Sequence, residues 1–558
     1  MSIKVKRIQD DGVNLGSCMN SPSLSTITLK VVECYLHTYK AKENEKNVNK
    51  SIHPNQKDRI FNRRRNKINK SGMTQISSTN ISPNSGEDIL GLLTVSDESD
   101  ESILANCLND IFKYLDVKSL SNCTFVNRFW CENSIRLLWA SIRNFNTLIA
   151  CLPNKSKEVL YRNEIIISTP TSRHPLFNYV EFVREFSIKE ICEGISYLLK
   201  NDPSQVFHDS KNIILAQEIF KMFMSQNSLK KLHFYPNLNY IPDIPFVTYP
   251  GAKGCLKNLS ELTCGSSINP KYYYQLSQLC HKLETLNVTF EEVISNGFDD
   301  LLSVQQNLKN LHVTHTPKCK YLTDIGPHLD RIHPTLTVFI LYGGFHHMTL
   351  DFVKRFSNLQ ELALFFCHAD YFDNLQYTAF PELRILEFKY ECPKHDYLVK
   401  FLEINGMNLT EIRICRSKDS LNKAIAQFCP NLNSLYTRFR YGEVETLKLI
   451  LTRCQKLERL KILCGNYHLN ECKLLEVVAN HSSNTFHELK VCAVHVQSEL
   501  FSKELESILI NPIPPKLLSL VIVKGIKGFS ALKVNMEAIE TFINLGIIKN
   551  FRIANFGE

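Results

Sequence analysis

From Val183 onward one apolar signature keeps returning: an apolar residue, two residues of any kind, an apolar residue, one of any kind, and a third apolar residue. It first reads Val183, Phe186 and Ile188. Later copies start at Leu229, Leu259, Leu283, Leu308, Leu336, Leu359, Leu383, Leu409, Leu432, Leu457, Phe486, Leu517 and Ile548, at steps of 23 to 31 residues. The last two apolar positions of each copy are two residues apart, so in a strand they project to the same face. A period of this length allows one strand and one return segment per unit, and such a unit cannot bury its apolar side alone. The units must therefore stack strand beside parallel strand, with Leu359, Leu362, Leu364 and their counterparts in a shared core. Cys280, Phe356, Phe380, Cys429 and Cys454 stand three residues before the first apolar position, where a return segment would plug that core.

This pattern resembles the cysteine-containing leucine-rich repeats. The resemblance implies an α/β solenoid, a leucine-rich repeat horseshoe with its parallel sheet on the concave side, over residues 183–558. Such repeats place a polar Asn or Cys after the strand; here it survives at Asn237 and Cys367 and is mostly missing elsewhere. Residues 190–225 are too many for one repeat. Within them Ile213, Ile214, Gln217, Ile219, Phe220 and Phe223 read as one amphipathic helix, which predicts an enlarged first repeat.

Ahead of the repeats, the stretch Leu104 to Trp139 carries both tryptophans of the chain. Leu104, Leu108, Ile111, Phe112 and Leu115 recur at steps of three and four, one face of a helix that Asp116 closes. Leu120, Cys123 and Val126 keep that spacing after Ser119, whose hydroxyl is placed to cap a second helix. Trp130, Ile135, Leu138 and Trp139 follow the polar break at Asn127 and Arg128 and make a third. Three helices this short bury little surface by themselves, so the bundle is expected to keep apolar area for a partner.

The order Leu104, Leu108, Ile111-Phe112, Leu115, Leu120, Val126-Asn-Arg-Phe-Trp130 and Leu138-Trp139 resembles an F-box. It departs from that family at Ala105, where proline is usual, and in a short link between the first two helices. The resemblance implies docking on a Skp-type adaptor, and through it on a cullin scaffold, by Leu104, Leu108, Ile111, Phe112, Leu115, Leu120, Val126, Trp130, Leu138 and Trp139. The bland alternative is a helical cap over the open end of the solenoid core.

A chain of 558 residues has room for more than one folding unit. The expected division is a disordered arm with an acidic linker over 1–100, an F-box over 101–145, a connector over 146–182 and the repeats over 183–558. Residues 1–90 hold 15 Lys or Arg against 8 acidic residues, a surplus of 7 out of a net charge of +9. The repeats are thus nearly neutral overall, which speaks against a folded nucleic-acid-binding domain. Within the arm, Lys57, Arg59, Arg63, Arg64, Arg65, Lys67 and Lys70 form a basic cluster, read as a solvated charge run, with a nuclear import signal or a nucleic-acid contact as the alternatives. Ser96 to Ser102 is an acidic linker.

Nineteen cysteines with no Cys-x-x-Cys pair suit buried thiols in a reducing compartment better than a disulfide or zinc framework. The first residues lack the apolar run of a signal peptide, and no stretch has the apolar length of a membrane span. A soluble protein of the cytoplasm, the nucleus or both is expected.

No phosphate-cradling glycine loop, metal-ligand spacing or nucleophile elbow is present, and His346 and His347 are adjacent, which does not suit a zinc pair. No metal, cofactor or catalytic residue is expected, and binding is the better prospect. Between the buried positions of the later repeats stand Arg413, Tyr436, Arg438, Arg459, Lys461 and Lys490, with Glu411 and Glu488 as acidic exceptions. A basic groove of that kind suits an acidic or phosphorylated client segment. Val338, Ile340, Tyr342, Ala363 and Phe365 would form an apolar patch beside it, unless the whole is an ordinary mixed surface.

These readings point to a substrate-recognition subunit of an adaptor, cullin and F-box ubiquitin ligase. The alternative is a leucine-rich-repeat interaction scaffold outside any ligase. A GTPase-activating repeat protein has no supporting feature beyond available arginines.

Overall fold

The computed structural model describes residues 98–167, 175–199, 210–226, 228–234, 244–321, 325–343, 350–365, 372–464, 469, 471–493, 519–523, 543–544 and 548–554. The arm before residue 98, its basic cluster, Asn237, His346, His347 and Cys367 lie outside them. The chain divides into two compact units, Met1–Ala140 and Ser141–Glu558.

In the first unit three helices follow one another: α1 (Glu98–Phe112), α2 (Val117–Cys123) and α3 (Arg128–Leu138). α1 starts inside the acidic segment expected to be a linker. Asp116, not Ser119, caps α2: its carboxylate accepts from the Ser119 amide at 2.7 Å. Asn127 caps α3 in the same way, accepting from the Trp130 amide at 2.8 Å. Each cap satisfies a donor that the first helical turn leaves open. Leu108, Phe112, Leu120 and Cys123 close a small core, against which Ile111, Leu115, Phe129, Trp130, Leu137 and Leu138 pack.

The second unit is a leucine-rich repeat solenoid. Among the described residues fourteen strands form one sheet in strict chain order: β1 (Glu185–Ser187), β2 (Lys231–His233), β3 (Glu261–Gly265), β4 (Thr285–Phe290), β5 (Asn310–His315), β6 (Val338–Tyr342), β7 (Glu361–Phe365), β8 (Ile385–Lys389), β9 (Glu411–Ile414), β10 (Ser434–Arg438), β11 (Arg459–Cys464), β12 (Glu488–Ala493), β13 (Ser519–Val523) and β14 (Asn550–Ala554). Every neighbouring pair is parallel, and the second apolar position of each repeat stays in register. Leu286 pairs with Leu311, Leu362 with Leu386, Leu435 with Leu460. All of these are buried, so adjoining repeats supply each other's core. Fully burying one such leucine is worth roughly 1.5–3 kcal/mol, and repetition along the sheet is what lets strands this short hold.

The return segments vary. In the later repeats they are helices, His395–Asn405, Asp419–Phe428, Val444–Arg453 and Glu471–His481, each packed on the next. In the middle they shrink to short turns of helix: a 3₁₀ turn at Pro317–Tyr321 followed by an α-helical turn at Gly326–Leu329, then single 3₁₀ turns at Asp351–Arg355 and Asn374–Tyr377. Cys280, Phe356, Phe380, Cys429 and Cys454 are all buried where the return segment meets the strand side. Burial pushes the Cys280 and Cys454 thiols up to about 12 and raises that of Cys429 further, so these sulfurs act as small apolar plugs and not as nucleophiles.

The first repeat differs from the expectation. Ile188 is not a strand residue; it opens a helix, Ile188–Leu199, and a second helix, Ser210–Gln226, follows. Ile188, Ile191, Cys192 and Ile195 keep a spacing of three and four, and this periodicity overrides the short strand reading. The segment between the two units' boundary and β1 belongs to the solenoid core through Leu148, Ile149, Leu152, Leu160 and Ile165. There Phe145 lies against Gly194, so closely that any β-carbon at 194 would strike its ring.

Buried amides do what a regular asparagine ladder would do. Gln305 donates from Nε2 to the Cys280 carbonyl at 2.6 Å and accepts from the Leu283 amide at 3.1 Å. One hundred residues on, Asn405 donates to the Thr378 carbonyl at 2.9 Å and accepts from the Phe380 amide at 2.7 Å. Ser417, Asn422 and Thr437 form a third buried set, with Asn422 accepting from the Thr437 hydroxyl at 2.9 Å. The ladder residues missing after the strands are replaced by side chains arriving from the return segments.

Candidate functional site

Two surfaces stand out, one in each unit. On α1–α3 the predicted adaptor residues separate into two groups. Leu108, Phe112 and Leu120 lie inside the bundle and Trp139 is buried as well, so in the chain alone these four of the expected docking residues expose little area. The three-and-four spacing made one face, of which Leu108 and Phe112 turn inward. Phe112 meets Trp130 edge to face, with ring centroids 5.2 Å apart. Ile111, Leu115, Val126, Trp130 and Leu138 are half-buried and remain partly accessible. For Leu104 the structure describes the helical backbone alone. Sequence reading missed two exposed apolar residues, Tyr114 at 86% and Val117 at 51%. They flank Leu115 and Asp116 in the α1–α2 link, out of phase with the periodic face, so periodicity could not find them.

The second surface is the open face of the sheet, opposite the buried leucines. Register places Ile340, Ala363, Glu387, Arg413, Tyr436, Lys461 and Lys490 in one row across β6–β12. Thus all six predicted client residues, with Val338, Ile340, Tyr342, Ala363 and Phe365, share this face. Their electrostatics differ from the expected free basic groove. Arg413 donates to Glu387 at 2.8 Å and to Glu411 at 2.6 Å. Burial works against the Arg413 charge, but these two carboxylates outweigh it and raise its pKa. Lys490 lies 3.2 Å from Glu488. Lys461 covers the Tyr436 ring at 4.8 Å, and burial raises the Tyr436 phenol well above its usual range. Arg438 uses Nε to reach the Ser417 carbonyl at 3.1 Å, and Arg459 is exposed.

Three carboxylates therefore meet one guanidinium: Glu361 stands beside Glu387, Glu411 and Arg413. Burial, with repulsion from Glu387 and Glu411, raises the Glu361 pKa against the pull of Arg413. The apolar patch is built around Tyr342 stacked on Phe365, centroids 4.3 Å apart at 16°, with the Lys389 ammonium 5.6 Å from the Phe365 ring. Beyond Lys490 the same face turns apolar again, as Cys492, Val521, Val523 and Ala554 cluster with Leu463 against them. The run Ser519-Leu-Val-Ile-Val523 signals this, since it lacks the polar alternation of the earlier strands. Toward the first repeats the face is polar, with His233 Nδ1 3.0 Å from the Thr263 hydroxyl and Asn287 donating to that hydroxyl at 3.1 Å. Among the described residues no three His, Cys, Asp or Glu side chains are grouped to hold a metal ion, and no helix is long and apolar enough to cross a membrane.

No protein-family model matches the chain, and no curated protein does. Among solved structures, the leucine-rich repeat-containing protein LegL7 of Legionella pneumophila is 13% identical, with 50% of this chain and 95% of that one covered at a TM-score of 0.30. The complex of Rad7 and Elc1 in yeast gives 14% identity, 51% of this chain, 83% of the other and the same TM-score of 0.30. Overlays this loose carry no argument, and the solenoid stands on its own sheet order and register.

Proposed function

We propose that the chain is the substrate-recognition subunit of an adaptor, cullin and F-box ubiquitin ligase, with α1–α3 docking a Skp-type adaptor and the open sheet face holding a client. The observation that carries this reading is the first unit: three helices, two of them side-chain capped, with a core of their own that still leave Tyr114 and Val117 in solvent. Exposed apolar side chains on so small a bundle suit a second protein's surface. The sheet supports the other half, since it offers aromatic, acidic and basic side chains in fixed register on one face.

On this reading the chain supplies proximity and no catalytic group. Holding a client beside the ligase raises the effective concentration of its lysines at the ubiquitin thioester. The same residues would serve an interaction scaffold outside any ligase, and adaptor binding separates the two. Capture of a purified Skp-type adaptor by the full chain is expected, and Trp130→Ala with Leu138→Ala should abolish it while the melting temperature of the solenoid is unchanged. An unaltered chain that fails to capture the adaptor, or a double variant that captures it undiminished, removes the ligase assignment.

A further inference from the structure

Along the open face the third outward-facing position of successive strands forms its own row, in which Phe365 is buried under its neighbours and Tyr342 is exposed. Tyr342, Phe365 and Lys389 are register partners, and continuing the register carries the row through Cys415 to Arg438. Tyr342 lies at one end, stacked on one side and 42% exposed. At the other end, where β9 and β10 leave the sheet, Arg416, Arg438 and Arg440 crowd together. The turn that holds them is fixed. Ser417 is buried, donates to the Arg438 carbonyl at 2.9 Å, and uses its own carbonyl to hold Arg438 Nε at 3.1 Å. The Arg416 carbonyl is 3.1 Å from His395 Nε2, and Glu443 accepts from the Arg440 backbone amide at 3.1 Å.

None of the three guanidiniums has a carboxylate within ion-pair distance among the described residues, whereas Arg413 on the same face has two. Among the described residues, neither terminal nitrogen of Arg438 has a hydrogen-bond partner, and only Nε is engaged. Burial, then the charges of Arg440 and Arg416, lower its pKa against a smaller opposing pull from the Glu443 carboxylate, and a bound anion would offset the remainder. Guanidinium groups pair with carboxylate and phosphate through parallel charge-assisted hydrogen bonds.

We propose that this face reads an extended peptide laid across the strands, with an apolar side chain on Tyr342 and an oxyanion, carboxylate or phosphate, held by Arg416, Arg438 and Arg440 about six residues away. The spacing follows from the row. Tyr342 on β6 and Arg438 on β10 are four strand steps apart, about 19 Å at ~4.8 Å per step, and an extended chain covers about 3.3 Å per residue. Glu361, Glu387 and Glu411 flank the path, which disfavours a nucleic acid, whose evenly spaced phosphates would meet them. A single oxyanion on a peptide avoids them. The proposal rests on the reading of this face as the client surface.

The test uses three degenerate peptide libraries, each about fifteen residues long with a fixed central phosphoserine, glutamate or serine, passed over the immobilised full chain. Retention of the phosphoserine pool, or of both anionic pools, about tenfold over the serine pool is expected, with enrichment of large apolar residues five to seven positions to one side. Arg416→Ala with Arg440→Ala, both exposed positions, should erase the tenfold preference without moving the melting temperature. Tyr342→Ala should erase the apolar enrichment and leave the anion preference. Equal retention of the three pools, or anion preference with no positional apolar selection, overturns the proposal. So does displacement of bound peptide by an equal concentration of a fifteen-nucleotide single strand. Adaptor capture measured on the same preparation is independent of every one of these outcomes, so failure of the ligase reading and failure of the peptide ruler are told apart.

Discussion

Arg413 donates from Nη1 to the carboxylate of Glu387 at 2.8 Å, a contact that bridges β8 and β9 on the open face of the sheet. Because Nε of the same guanidinium reaches Glu411 at 2.6 Å, one cation answers two anions and leaves Glu361 in excess. The open face in the later repeats is therefore not uniformly basic. It alternates an acid-rich centre with cationic flanks.

Removing the guanidinium should expose that imbalance. Arg413→Ala leaves Glu387 and Glu411, at 15% and 19% exposure, facing one another without a counter-ion. A fully buried pair broken this way costs about 3–5 kcal/mol, but Arg413 is itself 37% exposed and solvent screens the loss, so about 1–2 kcal/mol is expected. Urea unfolding measures it. In a Glu387→Gln, Glu411→Gln background the same substitution should cost little, and an equal cost there would show that the ion pairs are not its source.

Glu361 gives the pH dependence. Its folded pKa is raised by burial and by Glu387 and Glu411, so the folded state holds its proton more tightly than the unfolded chain does. Stability from this group is then present at acid pH and lost as pH rises through the raised folded value. Glu361→Gln should raise the melting temperature by on the order of 1 °C at neutral pH and by less in mildly acidic buffer. A gain that grows as pH falls would reverse the sign and refute the assignment.

The repeat skeleton was legible because its cause is local. A three-point apolar signature fixes which side of each strand is buried, and the register of Leu286, Leu311, Leu362 and Leu386 follows from stacking such units. The side-chain row on the open face was legible for the same reason. The pairing within it was not, because the partner of Arg413 depends on which residue the neighbouring repeat brings alongside, 26 positions away in the chain for Glu387. Ile188 was misread because a three-residue strand runs straight into a helix, and both patterns accept an isoleucine there. On α1–α3, periodicity identified the apolar face but not how much of it goes into the bundle's own core, where Phe112 lies while Ile111 and Leu115 stay partly accessible.

The buried amides predict a matched pair of losses. Gln305→Leu keeps the volume but strands the Leu283 amide and the Cys280 carbonyl, and Asn405→Leu strands the Phe380 amide and the Thr378 carbonyl. An unsatisfied buried group costs about 1–3 kcal/mol, so each variant should lose about 2–5 kcal/mol. Hydrogen exchange at the Leu283 and Phe380 amides should rise first in the corresponding variant. Loss of stability without faster exchange at those amides would point to packing as the cause.

Gly194 tests the joint between the connector and the first repeat. Its missing side chain admits the Phe145 ring, and Gly194→Ala places a methyl group where that ring sits. Although alanine favours helix, forcing extra volume into packed space typically costs about 1–3 kcal/mol. Gly194→Ala should lower the melting temperature, and Phe145→Ala in the same chain should relieve part of the penalty. If alanine at 194 stabilises by helix propensity alone, Phe145 is not held there in solution.

In α1–α3, core and surface make opposite predictions. Phe112 is 1% exposed and pairs with Trp130, so Phe112→Ala should cost about 3–5 kcal/mol, enough to melt a bundle this small. Val117 is 51% exposed and opens α2, where an acidic side chain complements the positive end of the helix, so Val117→Glu should leave folding unchanged or slightly improved. If these helices dock an adaptor, both variants lose adaptor capture, but only Phe112→Ala also loses the helical signal on calorimetry and circular dichroism. Full capture by Val117→Glu would move the docking surface off the start of α2 and onto the half-buried Ile111, Leu115, Val126 and Leu138.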